Sequence, residues 1–442
     1  MNAKLAPALL FLLASVHVWS QSLRVEAPTA RGSLLMLDNA ASAPWMIEGS
    51  DDLATWKPLW RVKTPDPSIW VVDANAAGRA RRFFRARDAT ADTGQSTQDL
   101  RAFWSHGTAA STTGSIPFTH LPMNLADIQY LTPMGLMVAN HVTPIDHLYL
   151  YPVNLTDFFD VFAPANGHIV LIQKRVVSGQ TPQYRMVFEH TGAFWSYYDL
   201  VSSLDASVLT ALGVPDVPDN TPQYVRVAVS GGQRIGNVGT RTLDWGVVWS
   251  EVTRGGFVVP AHYDYEPWKI HTVDPLDHYD EPLRSQLLTK AVRTGAPRGG
   301  RIDYDEDGTA AGNWFLKGTN GYRGLNPGQY WLGHLALTYY HIDSSVCMFS
   351  IGNWQGTQKQ YWVKNNTPDP ATVTEATGVV KWELVFGTRG AYGQTLTGIP
   401  TAVQGTVLFQ VLPNRELKLE IFPGKTSAQV SGFTSAARIY ER

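Results

Sequence analysis

Two histidines and an aspartate fall within the seven residues His141-Val-Thr-Pro-Ile-Asp146-His147, just ahead of a β-rich run. Imidazole and carboxylate are the donors that hold divalent ions: zinc accepts both, while manganese and calcium favour carboxylate oxygen. A cluster of this composition reads as a metal site or as the remnant of one. A turn at Pro144 brings His141 and Asp146 toward a shared ion, whereas His147 follows Asp146 directly and points to the opposite side of an extended strand. A hydrolytic zinc needs three protein ligands and an open position for water. A third ligand must therefore come from elsewhere in the chain.

Three further places carry chemistry-bearing residues. Asp303-Tyr-Asp305-Glu-Asp307-Gly308 matches the opening of a calcium loop, but Trp314 stands where the bidentate acid belongs, so a turn between strands is expected. The stretch from His262 to Arg293 holds several histidines and acids. Asp280, Glu281 and Pro282 there read as a helix start, followed at helical spacing by Leu283, Leu287, Leu288 and Val292, so a connecting helix is expected. Cys347 is the only cysteine, which excludes an internal disulfide and reads as a small buried hydrophobe.

The elements that position these groups follow from length and composition. A chain of 442 residues exceeds one ordinary core and predicts several domains. A net charge of -2 with 17% charged residues offers neither a basic stripe for nucleic acid nor an acidic tail. Residues 1–20 have one lysine, an apolar run and small residues at the end, the layout of a secretory signal peptide; no later stretch reaches membrane-spanning length. The expected location is the cell envelope, secreted or periplasmic. Thirty-eight glycines and 15 tryptophans beside Val, Ile and Tyr predict a mainly β, multidomain protein. Short alternating runs over 21–88 predict a small β-sandwich, with Trp56 as its core tryptophan, and 89–115 is rich in Ser, Thr, Gly and Ala and reads as a linker in which AFWSHG packs on a neighbour. Residues 116–265 alternate again, with two glycine-turned hairpins and a short helix after Asp205. A connecting helical segment spans 266–298, and 299–442 predicts a β-sandwich or barrel, with GNW and QYW each occurring twice.

Two resemblances add to this reading. WMIEGSDDLATWKPL with FFRAR resembles fibronectin type III-like modules of exported proteins. APANGHIV (163–170) and SGGQRIGNVG (230–239), after the His/Asp segment, resemble the duplicated hybrid motif of lysostaphin-like peptidoglycan endopeptidases. That family's ligands are the His and Asp of an H-x-x-x-D element and the second His of an H-x-H element. The resemblance places His141 and Asp146 at the first pair, with one extra intervening residue. It sets Asp244 at the third ligand, and Thr242 and Asp199 where assisting histidines stand. Tyr197 and Trp245 are the aromatic residues expected to touch a bound polymer.

A set of His141, Asp146 and Asp244, with His147 as a further candidate, would hold zinc or another divalent cation but lacks the imidazoles that assist hydrolysis. General acid-base catalysis alone contributes roughly 10² to 10⁴-fold. The expectation is a degenerate, non-hydrolytic relative that binds peptidoglycan or another envelope polymer. The alternatives are a zinc-dependent endopeptidase and a structural extracellular scaffold.

Overall fold

The structure, a computed structural model, describes residues 22–29, 32–38, 45–62, 68–73, 76, 81–90, 100–105, 112–319 and 321–442. The expected leader, and much of the expected linker, lie outside the described residues. The chain is mainly β, as its composition predicts, and multidomain. Its first strands, β1 (Ser22–Thr29), β2 (Gly32–Asp38), β3 (Trp45–Ser50), β4 (Lys57–Val62), β5 (Ser68–Asp73) and β6 (Phe83–Asp88), form two three-stranded sheets, β1-β2-β5 and β4-β3-β6. Among the described side chains of these sheets Trp45 is buried and Trp56 is not. The Trp56 ring is only half-buried and lies 4.3 Å beneath the Arg85 guanidinium.

After helix α1 (Leu100–Ser105) come β7 (Ile128–Thr132), β8 (Leu148–Pro152), β9 (Phe158–Phe162), β10 (Gly167–Arg175), β11 (Gln183–Thr191), β12 (Phe194–Val201) and β13 (Ser203–Leu204). Helix α2 (Ala206–Leu212) leads to β14 (Gln223–Val229), β15 (Arg234–Gly239), β16 (Leu243–Trp249) and β17 (Thr272–Val273). The large sheet runs β14-β10-β11-β12-β16-β8-β7 with β17 beside β16, and a three-stranded sheet, β13-β15-β9, covers part of it. Asp205 caps α2 by accepting from the Ser207 amide, and Gly213 ends it in the left-handed region at φ 70°.

The two glycine turns are not hairpins. Residues 163–166 carry the chain from β9 in the small sheet to β10 in the large one, and 230–233 carry it back from β14 to β15. The turns sit side by side, joined by Gly232 N–H to the Ala163 carbonyl at 2.9 Å and Gly231 N–H to Asn166 Oδ1 at 2.9 Å. Gly232 makes this crossing in the left-handed region at φ 79°, which favours glycine.

Strand β12 shows how the large sheet is covered. Phe194 and Tyr198 enter the main core with Phe188, Trp245 and Leu150, while Trp195 and Tyr197 face the other way and pack with Trp104, Val187, Val248 and Trp268. Nearly all of FWSYYDLV is buried because both faces are covered, which explains its nearly continuous apolar and aromatic character. The cover on the second face comes from α1 and from the 3-10 turn Pro267–His271, with Trp104 and Trp268 ring centroids 5.6 Å apart.

Helix α3 (Leu283–Leu288) then leads into a closed barrel of β18 (Gly312–Leu316), β19 (His334–Tyr339), β20 (Cys347–Trp354), β21 (Thr357–Val363), β22 (Val380–Val385), β23 (Gly405–Leu412), β24 (Glu416–Pro423) and β25 (Arg438–Glu441). Closure leaves no free sheet edge. Trp314, Trp354, Trp382 and Phe409 fill the interior with Cys347, whose thiol burial pushes up to about 12. The GNW and QYW pairs occupy unlike positions, QYW once in a 3-10 segment and once in β21, so they mark no structural repeat. Phe315 and Tyr322 join the core of the large sheet, so the barrel and the central unit share packing.

Trp104 is the anchor of an otherwise polar, glycine-rich stretch. Trp104→Ala is expected to destabilise the central unit by about 3 kcal/mol in denaturant unfolding. A change below about 1 kcal/mol would show that α1 is not part of the packed cover.

Candidate functional site

Six of the eight candidate site residues converge on one cavity of about 380 Å³ on the second face of the large sheet. Its floor is set by strand register. Asp199 on β12 lies opposite Asp244 on β16, and Asp244 lies opposite Tyr149 on β8, which makes a row across three strands. One step along, Tyr197 pairs with Gly246, where a Cβ would sit 2.2 Å from the tyrosine ring; only glycine lets that ring lie across β16. Arg175 on β10 and Gln183 and Arg185 on β11 complete the floor, while Glu266, Trp268 and Lys269 come from the covering turn and Tyr322 and Tyr330 from the segment before β19.

His141, Asp146, His147, Asp199, Asp244 and Tyr197 all line this cavity. Trp245 does not: alternation along β16 turns it into the main core, fully buried against Phe118 and Tyr279. Thr242 stands beside the site and donates to Asp244 Oδ1 at 3.2 Å without reaching the cavity wall.

His147 does not point away from the carboxylates. Its Nδ1 lies 3.2 Å from Asp146 Oδ1, and its Nε2 lies 3.4 Å from Asp244 Oδ2, an ion-pair contact rather than an aligned hydrogen bond. The imidazole therefore stands between the two acids that were expected to share an ion. The Lys269 ammonium lies 3.3 Å from the same Asp146 Oδ1, and the Trp268 indole N–H donates to Oδ2 at 2.7 Å. Lys269 in turn reaches Glu266 at 3.1 Å. Asp199 is held by the Arg175 guanidinium. His141 is more distant, its ring centroid 6.4 Å from that of His147.

Charge explains the proton positions. Burial works against charge on His147, but Asp244 and Asp146 outweigh it and raise the imidazole to about 9, so the ring is a cation at neutral pH. Burial, His147 and Lys269 push His141 down to about 4, which leaves it neutral. Burial would raise the Asp146 carboxyl, yet Lys269, His147 and Trp268 together hold it well below the usual carboxylate range. Four carboxylates (Asp146, Asp199, Asp244, Glu266) thus face three fixed cations (Arg175, Arg185, Lys269) and the His147 imidazolium.

This donor set does not fit a divalent ion. The His147 ring occupies the space between Asp146 and Asp244, the Lys269 ammonium stands at Asp146, and the Arg175 guanidinium stands at Asp199. Among the described residues no group of three His, Cys, Asp or Glu side chains is arranged to hold a metal. The calcium-loop acids also disperse. Asp303 pairs with Arg254 at 2.8 Å, Asp305 accepts from the Asn313 amide at 2.7 Å, and Asp307 pairs with Arg415 at 2.9 Å.

Sequence reasoning missed the cationic half of the site. Arg185 carried a signal, since it directly precedes the apolar run Met186-Val187-Phe188, whereas Arg175 follows Gln173 and Lys174 at the end of β10 and carried none. Lys269 carried another as a charge within the apolar turn Pro-Trp-Lys-Ile. The segment expected as a connector in fact adds β17 to the large sheet and three cavity residues to the site.

No protein-family model and no curated protein matches this chain. One similar solved structure is titled "NMR solution structure of lysostaphin". It is 11% identical, with 56% of this chain and 94% of that chain covered, at a TM-score of 0.21. That overlap is too loose to establish a shared fold.

The folded pKa of His147, about 9, lies above its ordinary value of 6.5. Its stabilisation is therefore complete below about pH 6.5 and is lost as pH rises through 9. The shift corresponds to roughly 3 kcal/mol. The gap in unfolding free energy between the wild-type protein and His147→Gln is expected to be widest near pH 6 and to close by that order by about pH 10. Denaturant titrations at several pH values measure it, and a pH-independent gap would mean that the fold does not raise the pKa of the ring.

Proposed function

We propose that this chain is exported and binds a polar polymer of the cell envelope in the cavity of its central unit, without hydrolysing it. The observation that carries this reading is that protein groups already engage the two carboxylates a zinc site here would need free, Lys269 and His147 at Asp146 and His147 at Asp244. A hydrolase of that class depends on a metal-bound water of lowered pKa, and these acids are arranged for ion pairing. The cavity suits recognition. Aromatic rings of Tyr149, Tyr197, Trp268, Tyr322 and Tyr330 form its apolar surface, and fixed charges between them give it polarity. Peptidoglycan is the first polymer to test, on the strength of the two glycine signatures. Residues 1–20 support export, and no helix among the described residues is long and apolar enough to cross a membrane.

The purified full chain incubated with insoluble peptidoglycan should sediment with it and release no new soluble amino groups, with or without a chelator. Chelator-sensitive release of fragments would establish the endopeptidase instead. Failure to sediment with peptidoglycan or with other wall polysaccharides would leave the scaffold reading.

A further inference from the structure

The charges in the cavity are balanced in total but not in place. Lys269 lies between two acids, Asp146 and Glu266, and His147 lies between two, Asp146 and Asp244, so that end has more carboxylates than cations. At the other end Arg175 and Arg185 share one carboxylate, Asp199. Strand register places them there: Arg175 pairs with Gln183, and Gln173 with Arg185, which puts both guanidinium groups on the cavity face of adjacent strands.

Arg185 is held and yet not fully used. Its guanidinium lies 4.7 Å from the Tyr197 ring centroid and 5.3 Å from that of Trp268, within cation–π range of both, while Asp199 Oδ2 is 3.8 Å away, beyond direct hydrogen bonding. Arg175 Nε and Gln183 Oε1 are buried in the same wall without partners. Buried polar atoms are normally paired, and orphans grouped around one space mark where a ligand's polar atoms belong. The N–H edges of the guanidinium groups ask for an acceptor, and a planar guanidinium fork matches a carboxylate. The Gln183 oxygen asks for a donor beside it.

We propose that the arginine end of the cavity binds a carboxylate flanked by a hydroxyl or amide N–H, with Arg185 and Arg175 taking the carboxylate and Gln183 accepting from the neighbouring donor. This rests on the reading of the cavity as a binding site and names the chemistry it recognises. Two sources carry such a group, a sugar acid and the free end of an acylated peptide.

The test is calorimetric titration of the full chain with D-glucuronate against D-glucose, and with N-acetyl-D-alanine against its carboxamide. At least one acid should bind, with its neutral counterpart about tenfold weaker or worse. Which acid binds identifies the source. Arg185→Gln should lose that preference, Arg185→Lys should recover it in part, and Gln183→Leu should weaken the acid while leaving the preference for charge. Equal binding of acid and neutral partner, binding of neither acid, or an unchanged preference in both Arg185 variants overturns the proposal. If Arg185→Gln fails to fold, as judged by near-ultraviolet circular dichroism, Arg185→Lys and Gln183→Leu carry the test. A chain that sediments with wall polymer but shows no acid preference defeats this inference alone; one that sediments with no polymer defeats the functional reading beneath it.

Discussion

The Lys269 ammonium, buried between Asp146 and Glu266, is the contact on which the site depends. An isolated charge in such a place would be expelled or neutralised, and a buried pair survives only when geometry and further hydrogen bonds compensate for lost hydration. Here the compensation extends along a chain of contacts, Glu266 to Lys269 to Asp146 to His147 to Asp244. Each acid in that chain has Lys269 or His147 at contact distance. Such a network is weak evidence for stability, but it fixes which groups are charged and where, and that decides what the cavity can accept.

The fold makes the network possible by covering one sheet twice. The main core occupies one face, where Phe188, Tyr198 and Trp245 pack. On the other face α1 and the turn at Pro267–His271 exclude water around Trp104, Trp195, Tyr197 and Trp268. The charged row of Asp199 and Asp244 lies where that second cover meets the segment that brings Tyr322 and Tyr330. Low local dielectric strengthens the ion pairs and the attraction of Arg185 to the rings of Tyr197 and Trp268. Packing and electrostatics are thus one arrangement: removing the aromatic cover would hydrate the pairs, and removing the pairs would leave uncompensated charge beneath the cover.

The sequence displayed the donors but not their partners. His141, Asp146 and His147 stood out because they are close in the chain, and Asp199 and Asp244 through a motif; all five line the cavity. Lys269 lies 123 residues beyond Asp146 in a stretch read as a connector, and no local pattern links the two. His147 was assigned to the far side by strand alternation, yet it precedes β8, and the irregular backbone there lets its ring sit beside Asp146. Trp245 was expected at a ligand, but alternation along β16 gave that face to Asp244 and sent the indole inward. The β class was legible from turn chemistry and alternation. That the glycine turns cross between sheets was not, because a hairpin and a crossover have the same local composition.

The account's central claim, that protein cations stand where a metal would, can be read directly from the His147 ring by nitrogen-detected NMR at neutral pH, before and after one equivalent of zinc. The account predicts an imidazolium, protonated on both nitrogens and titrating near 9, whose signals do not move when zinc is added. A neutral ring whose nitrogen shifts on stoichiometric zinc, with the shift abolished in Asp146→Ala, would contradict it.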